Sequence, residues 1–288
     1  MIQSLRQIKL RIRSIEATRR IMRAMEMVSA AKLNRVKGAF YAQRPYLDAL
    51  EMTLKNAIAD TADTSNPLLT KRANIRSIAL CVITSDTGLC GNYNNSVLRL
   101  ANSFIYKNRP VGVKLTVVGR EALAYFGGLG FAADSYLGLY GRYTAKIADD
   151  ISTALVNSYV SGDADEVYVA YTRFSPSLRH KPVVEKILNI DTGTTDAARD
   201  ALGRYLFEPD GRRLIEAMVP AYLTQKMRAI LLDAFAAEHS ARMLAMKTAT
   251  DNATELIDKL TLMRNKARQF AITKEILEIA MSAEALKG

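Results

Sequence analysis

The sequence predicts an α/β protein in which a small, mostly parallel sheet domain is inserted between two long terminal helices that pair antiparallel. Three observations predict it. Thirteen of the fifteen glycines fall between Gly88 and Gly211, no proline precedes Pro45, and none follows Pro220, so both ends are nearly free of breakers. Apolar residues recur at helical spacing along both ends. Short β-rich runs alternate with helical patterns in the middle, which indicates strands crossing over through covering helices.

Taken in order, a first segment over residues 1–58 carries a seam at Leu5, Ile8, Ile12, Ile15, Arg19 and Met22. Arg6, Lys9, Arg13, Arg20 and Arg23 lie off that seam as a basic face. The middle domain spans 76–204. Strands are expected over 77–83 (SIALCVI), 111–118 (VGVKLTVV), 166–172 (EVYVAYT) and 183–190, with helices over 95–106 and 145–159. The last segment, 209–286, repeats the helical pattern. Leu223, Met227, Ile230, Ala234, Ala237, Ala241 and Leu244 form one seam, and Leu256, Leu260, Met263, Ala267, Phe270, Leu277 and Met281 form a second. Thr248 and Asn252 join the two through a stutter that locally unwinds a left-handed coiled coil. A helix over 221–287 would reach roughly 100 Å at 1.5 Å per residue, far more than the inserted domain can cover.

Composition sets bounds on chemistry. With 49% apolar and 24% charged residues the chain is globular rather than disordered. Two cysteines and two histidines make neither a disulfide framework nor a zinc site, which fits a reducing, intracellular setting. No apolar run is long enough to cross a bilayer, so no direct membrane insertion is expected. The net charge of +11 is uneven: residues 1–44 hold eleven Lys/Arg against two Glu. A basic segment on a neutral body implies an acidic partner.

The apparent catalytic motifs do not survive inspection. Thr84–Asn94 (TSDTGLCGNYN) is a Gly-rich turn after a strand, yet it lacks the spacing and the lysine of a phosphate loop. It reads instead as a tight turn with Gly88 and Gly91 at positive φ and Asn92 or Asn94 capping the next helix. Gly128, Gly130 and Ala133 belong to a plain loop. Cys90 has no base beside it in sequence. His180 and His239 each stand alone and read as surface or packing residues, and Asp149, Asp150, Glu208 and Asp210 read as solvated or helix-start acids. No catalytic residue, metal ligand or cofactor site is expected.

The two terminal helices and the GLCGN turn together carry a resemblance. Ile12–Lys32 (IRSIEATRRIMRAMEMVSAAK), Glu238–Asn252 (EHSARMLAMKTATDN) and Asn265–Ile279 (NKARQFAITKEILEI) resemble the gamma subunits of F-type ATP synthases, and the likeness runs along essentially the whole chain. The resemblance implies a coiled-coil shaft inside a ring of alpha and beta subunits, with a Rossmann-like α/β domain below it near the epsilon subunit and the c-subunit ring. It also implies a non-catalytic rotor of the central stalk, peripheral on the cytoplasmic face of a bacterial inner membrane, which couples rotation of the c ring to the catalytic sites. Carried over by motif, the shaft's contacts to the ring would be Met25, Arg242, Gln269, Thr273 and Glu275. Thr87, Phe270 and Ser282 depart from the family pattern, at the turn and near the shaft tip.

Physical considerations favour the same role. Breaking a buried ion pair costs about 3–5 kcal/mol, whereas exposed pairs contribute about 0–1, so a turning shaft needs shallow, interchangeable contacts. The ends supply Ala, Met, Thr and solvated Lys/Arg, and the chain has no Trp. Nucleic-acid binding is disfavoured because residues 1–39 contain no aromatic residue on which a base could stack.

Overall fold

The computed structural model describes residues 5–61, 66–131, 133–176, 180–190 and 211–285. The order is α1 (Leu5–Thr61), β1 (Ser77–Ile83), α2 (Tyr93–Lys107), β2 (Gly112–Val118), α3 (Arg120–Gly128), β3 (Ala133–Tyr136), α4 (Ala145–Val160), β4 (Glu166–Arg173), β5 (Lys181–Leu188) and α5 (Gly211–Ala285). One sheet runs β3-β2-β1-β4-β5. β1 to β4 are parallel, and β5 returns antiparallel to β4. The class is the expected one, an α/β sheet domain inserted between long terminal helices. β5 begins and ends two residues earlier than the expected 183–190, and β3 was read as loop. Four residues among five glycines between Gly127 and Gly141 are too few to show alternation. Residues 191–204 of the expected middle domain lie outside the described residues.

The chain divides into two compact units, residues 1–29 with 243–288 and residues 30–242. In the first, Ile8 and Ile12 of α1 pack with Ile257 and Leu260 of α5, flanked by Ile15 and Ala267. Arg19 Nη1 reaches Thr254 Oγ1 at 3.5 Å, so numbers rise on one helix as they fall on the other and the pair is antiparallel. The α1 seam is where the spacing put it, and its basic face is exposed. The second α5 seam is right at Leu260 and Ala267, which pack in this cluster, and out of phase at Leu256 and Met263. Leu256 and Met263 are 39% and 54% exposed, while Met246, Ala253, Ile257 and Leu260 are buried. The buried line steps by 4 and 3 through Thr250, whose hydroxyl donates to Met246 O at 2.8 Å and so sits on the seam satisfied. No step through Thr248 and Asn252 is needed, and both are exposed.

In the second unit α1 buries Leu33, Val36, Leu47, Leu54 and Ile58. One sheet face packs Leu80, Val82, Leu115 and Val117 against Val97, Leu98, Ala101 and Phe126 of α2 and α3. The first α5 seam is buried from Leu223 to Ala237, but Leu244 at its end is 44% exposed. From Ile230 to Ser240 every residue of α5 is buried, so three turns are enclosed on all sides rather than along a stripe. Among the described residues no helix is long and apolar enough to cross a membrane.

Candidate functional site

The turn after β1 is built from side chains that answer its own backbone. Thr84 Oγ1 donates to Val118 O at 3.1 Å and accepts from the Ala122 N–H at 3.0 Å, tying β1 to the start of α3. Asn94 Oδ1 accepts the Ser85 N–H at 3.0 Å, and Asn94 Nδ2 reaches Cys90 Sγ at 3.3 Å. Asn94 therefore points back into the turn and does not cap α2. Asn92 occupies the cap position without a side-chain cap bond. The positive φ values belong to Leu89 and Gly91, both +61°, not to Gly88. Burial raises the Cys90 thiol and pushes Cys81 up to about 12, so both are protonated thiols rather than nucleophiles.

Asp86 organises the next layer. Its carboxylate accepts the backbone N–H groups of Arg120 (3.2 Å), Gly138 (3.1 Å) and Tyr140 (2.7 Å). Gly119 opens α3 at φ +96°, where an added Cβ would lie 2.4 Å from Thr84 O. The strand order reverses between β1 and β4, and the crevice at their carboxyl ends is where open α/β sheets bind ligands. Here α5 covers that end. The Phe174 N–H donates to Asp233 Oδ1 at 3.3 Å, and Arg242 donates to Thr87 O at 2.9 Å, to Thr87 Oγ1 at 3.1 Å and to Gly88 O at 3.4 Å. A phosphate needs donors, and near this turn the Asp86 carboxylate takes the N–H groups of Arg120, Gly138 and Tyr140, while Arg242 is spent on Glu238, Thr87 and Gly88.

The α5 side of the crevice holds a buried carboxylate, Glu238, that the sequence reading missed. Glu238 pairs with Arg242 at 2.7 Å, and burial raises its carboxyl against that attraction. His239, 1% exposed, is not a surface residue. Its Nε2 lies 2.9 Å from Gly141 O, which can only accept, so the proton is on Nε2. Burial lowers its pKa to about 4, and Nδ1 has no partner. A Cβ on Gly141 would come within 2.6 Å of that ring, so only glycine fits there. His180 is half-buried, accepting the Ser175 N–H at Nδ1. Asp149 is not merely solvated: Arg228 holds it through two hydrogen bonds of 2.7 and 2.8 Å. The one sequence signal for this layer was DAFAAEHS, acids and a histidine inside an otherwise apolar run. Glu208 and Asp210 lie outside the described residues.

The residues expected to meet a partner do not form one site. Gln269, Thr273 and Glu275 are exposed on α5, where Thr273 Oγ1 donates to Gln269 O at 3.0 Å, and Met25 is half-buried on α1. Arg242 is 7% exposed and faces Thr87 rather than solvent. Thr87 is one of the departures noted above, and its hydroxyl accepts from Arg242. Arg6, Lys9, Arg13, Arg20 and Arg23 are all exposed along α1. Among the described residues no group of acids, histidines and cysteines could hold a metal ion.

The family model of the ATP synthase matches residues 4–286. The ATP synthase gamma chain of Anaeromyxobacter sp. is 40% identical over 291 residues, covering 99% of each chain, and that of Heliobacterium modesticaldum is 38% identical over 289 residues, covering 98% of this chain and 99% of the relative. The chain belongs to the ATP synthase gamma-chain family. Solved gamma-like structures share its fold. The Euglena gracilis mitochondrial ATP synthase rotor superposes with a TM-score of 0.64 at 14% identity, over 93% of this chain and 98% of that one. The Tetrahymena thermophila mitochondrial central stalk and c ring gives 0.58 at 20% identity, over 80% of this chain and 99% of that one. The described site is a junction between the sheet domain and α5, not a pocket.

Proposed function

We propose that this chain is the central-stalk rotor subunit of an F-type ATP synthase, coupling ion-driven rotation of a membrane c ring to the alpha and beta catalytic sites. The observation that carries the reading is the end of α5. The register set by Arg19 against Thr254 brings Leu5 level with Ala267 and Arg268, so later α5 residues have no described residue facing them. There Phe270, Ile276, Ile279 and Met281 are 60–70% exposed, an apolar helix surface that no described residue covers. Such a tip is suited to an enclosing ring of subunits. Gln269, Thr273 and Glu275 on it, Met25 lower down and the basic face of α1 supply shallow polar contacts, and a single asymmetric chain makes otherwise equivalent ring sites inequivalent. The epsilon subunit and c ring are the partners proposed for the sheet domain. The complex would be peripheral on the inner membrane's cytoplasmic face, and catalysis would reside in the other chains.

The test is reconstitution of the complex in vesicles with and without this chain. With it, ATP hydrolysis builds an ion gradient. Without it, the remaining subunits hydrolyse ATP and build none. A gradient of equal size in its absence would overturn the reading.

A further inference from the structure

We infer that the sheet domain is keyed to α5 alone, through the three enclosed turns Ile230–Ser240 and the polar contacts bordering them, so that torque passes between domain and shaft by α5 while α1 follows. The inference rests on the rotor reading above. Six separate segments of the domain reach this stretch. Glu185 of β5 meets Lys226 Nζ at 2.7 Å, and Asp149 of α4 takes two bonds from Arg228. Beyond β4 the Phe174 N–H donates to Asp233, and at the start of α2 Tyr93 OH donates to Ala234 O at 3.0 Å. The loop after β3 presents Gly141 O to His239, and the turn after β1 presents Thr87 to Arg242.

The α1 side differs in kind. Among the described residues it meets the domain through Lys32 Nζ, 3.4 Å from Tyr140 O in an exposed contact, through Phe40 and Lys37 against the Phe174 ring, and through Leu54 and Ile58, which line a cavity with Ile187 and Ile190 at the end of β5. Those contacts are apolar or water-accessible, and they slide at little cost. A helix enclosed on all sides by apolar residues could still turn in its sleeve. Directional bonds from six segments, at changing angles round the helix, remove that freedom, because rotation would leave several buried groups unpaired together.

Load separates this idea from a merely structural role. Complexes carrying Tyr93→Phe with Arg228→Gln would be compared with complexes carrying Lys32→Gln with Phe40→Ala, after melting curves of each free chain. Tyr93→Phe alone, which removes one oxygen, serves if the pair folds poorly. The keyed-helix variants are expected to hydrolyse ATP and to pump normally at the start. As the gradient grows they slip more often per ATP than the parent by at least about tenfold, the factor that one such polar contact carries alone. The α1 pair is expected to sustain the parent gradient even if it melts lower. Equal slip in both sets, or no added slip in the first, overturns the inference. Failure of the rotor reading would look different, as pumping that persists in complexes lacking the chain.

Discussion

Asp233 and His239 are both buried on α5, and they respond to pH in opposite senses. Burial pushes the Asp233 carboxyl up from 3.8 to about 6, against the pull of the Phe174 N–H and of Arg173 and Arg44. Raised in the fold, it favours the native state when protonated, and that contribution is lost as pH rises from about 4 to about 6. The displacement of roughly two pH units corresponds to about 3 kcal/mol. Asp233→Asn keeps an acceptor for Phe174 and removes the charge. The free variant should therefore be more stable than the parent at pH 7, by up to about 3 kcal/mol, and equal to it near pH 4 in denaturant melts. His239 works the other way. Its pKa of about 4 means the native state excludes the proton, so its contribution is present above about 6.5 and lost as pH falls toward 4. His239→Gln should flatten the acid side of the stability profile, and a profile as steep as the parent's would count against a buried neutral imidazole. These roles were not legible in sequence because they depend on segments far away in the chain. Nothing in SARM says that Arg242 turns inward; Thr87 and Gly88 decide it.

At the scale of elements, legibility followed the contrast between faces. The α1 seam was readable because Arg6, Lys9, Arg13, Arg20 and Arg23 line a face off it. Ile230–Ser240 has no polar face, so a stripe was read where a fully enclosed helix exists, and around Thr248–Ala253 small and polar residues left the phase of the seam ambiguous. The observed phase makes a specific claim. Leu260→Ala, at a position 5% exposed, should cost about 2–4 kcal/mol where the two helices pair, whereas Leu256→Ala, 39% exposed, should cost under about 1. Because the pair is one thin layer, the measurement is amide exchange across residues 5–15 and 253–267 in each variant. Faster exchange in Leu256→Ala than in Leu260→Ala would contradict the observed phase and return Leu256 to the seam.

For the whole molecule, core and charge are unequally distributed. The sheet domain closes a core around Leu80, Val117 and Val169, and amides there should exchange slowly in the free chain. Of residues 5–11 only Ile8 is buried, and residues 270–283 are nearly all exposed, so both stretches should exchange faster than the sheet domain in the free chain and gain protection when the complex assembles. Equal protection of tip and domain in the free chain would show a self-sufficient shaft. The basic first segment predicts that replacing Arg6, Arg13 and Arg20 by Gln weakens assembly and reduces its salt dependence, measured as complex yield against ionic strength.

Rotation itself is the most direct test of the account. Cys81 and Cys90 are buried at 0% and 2% exposure, so Tyr106→Cys, at a position 57% exposed, would offer a single reactive thiol on the sheet domain for a bead or dye. With the alpha and beta ring fixed to a surface and ATP supplied, the probe should turn in one direction and stop when ATP is exhausted. A complex that hydrolyses ATP while the probe on this chain stays still would contradict the assignment of this chain as the rotor.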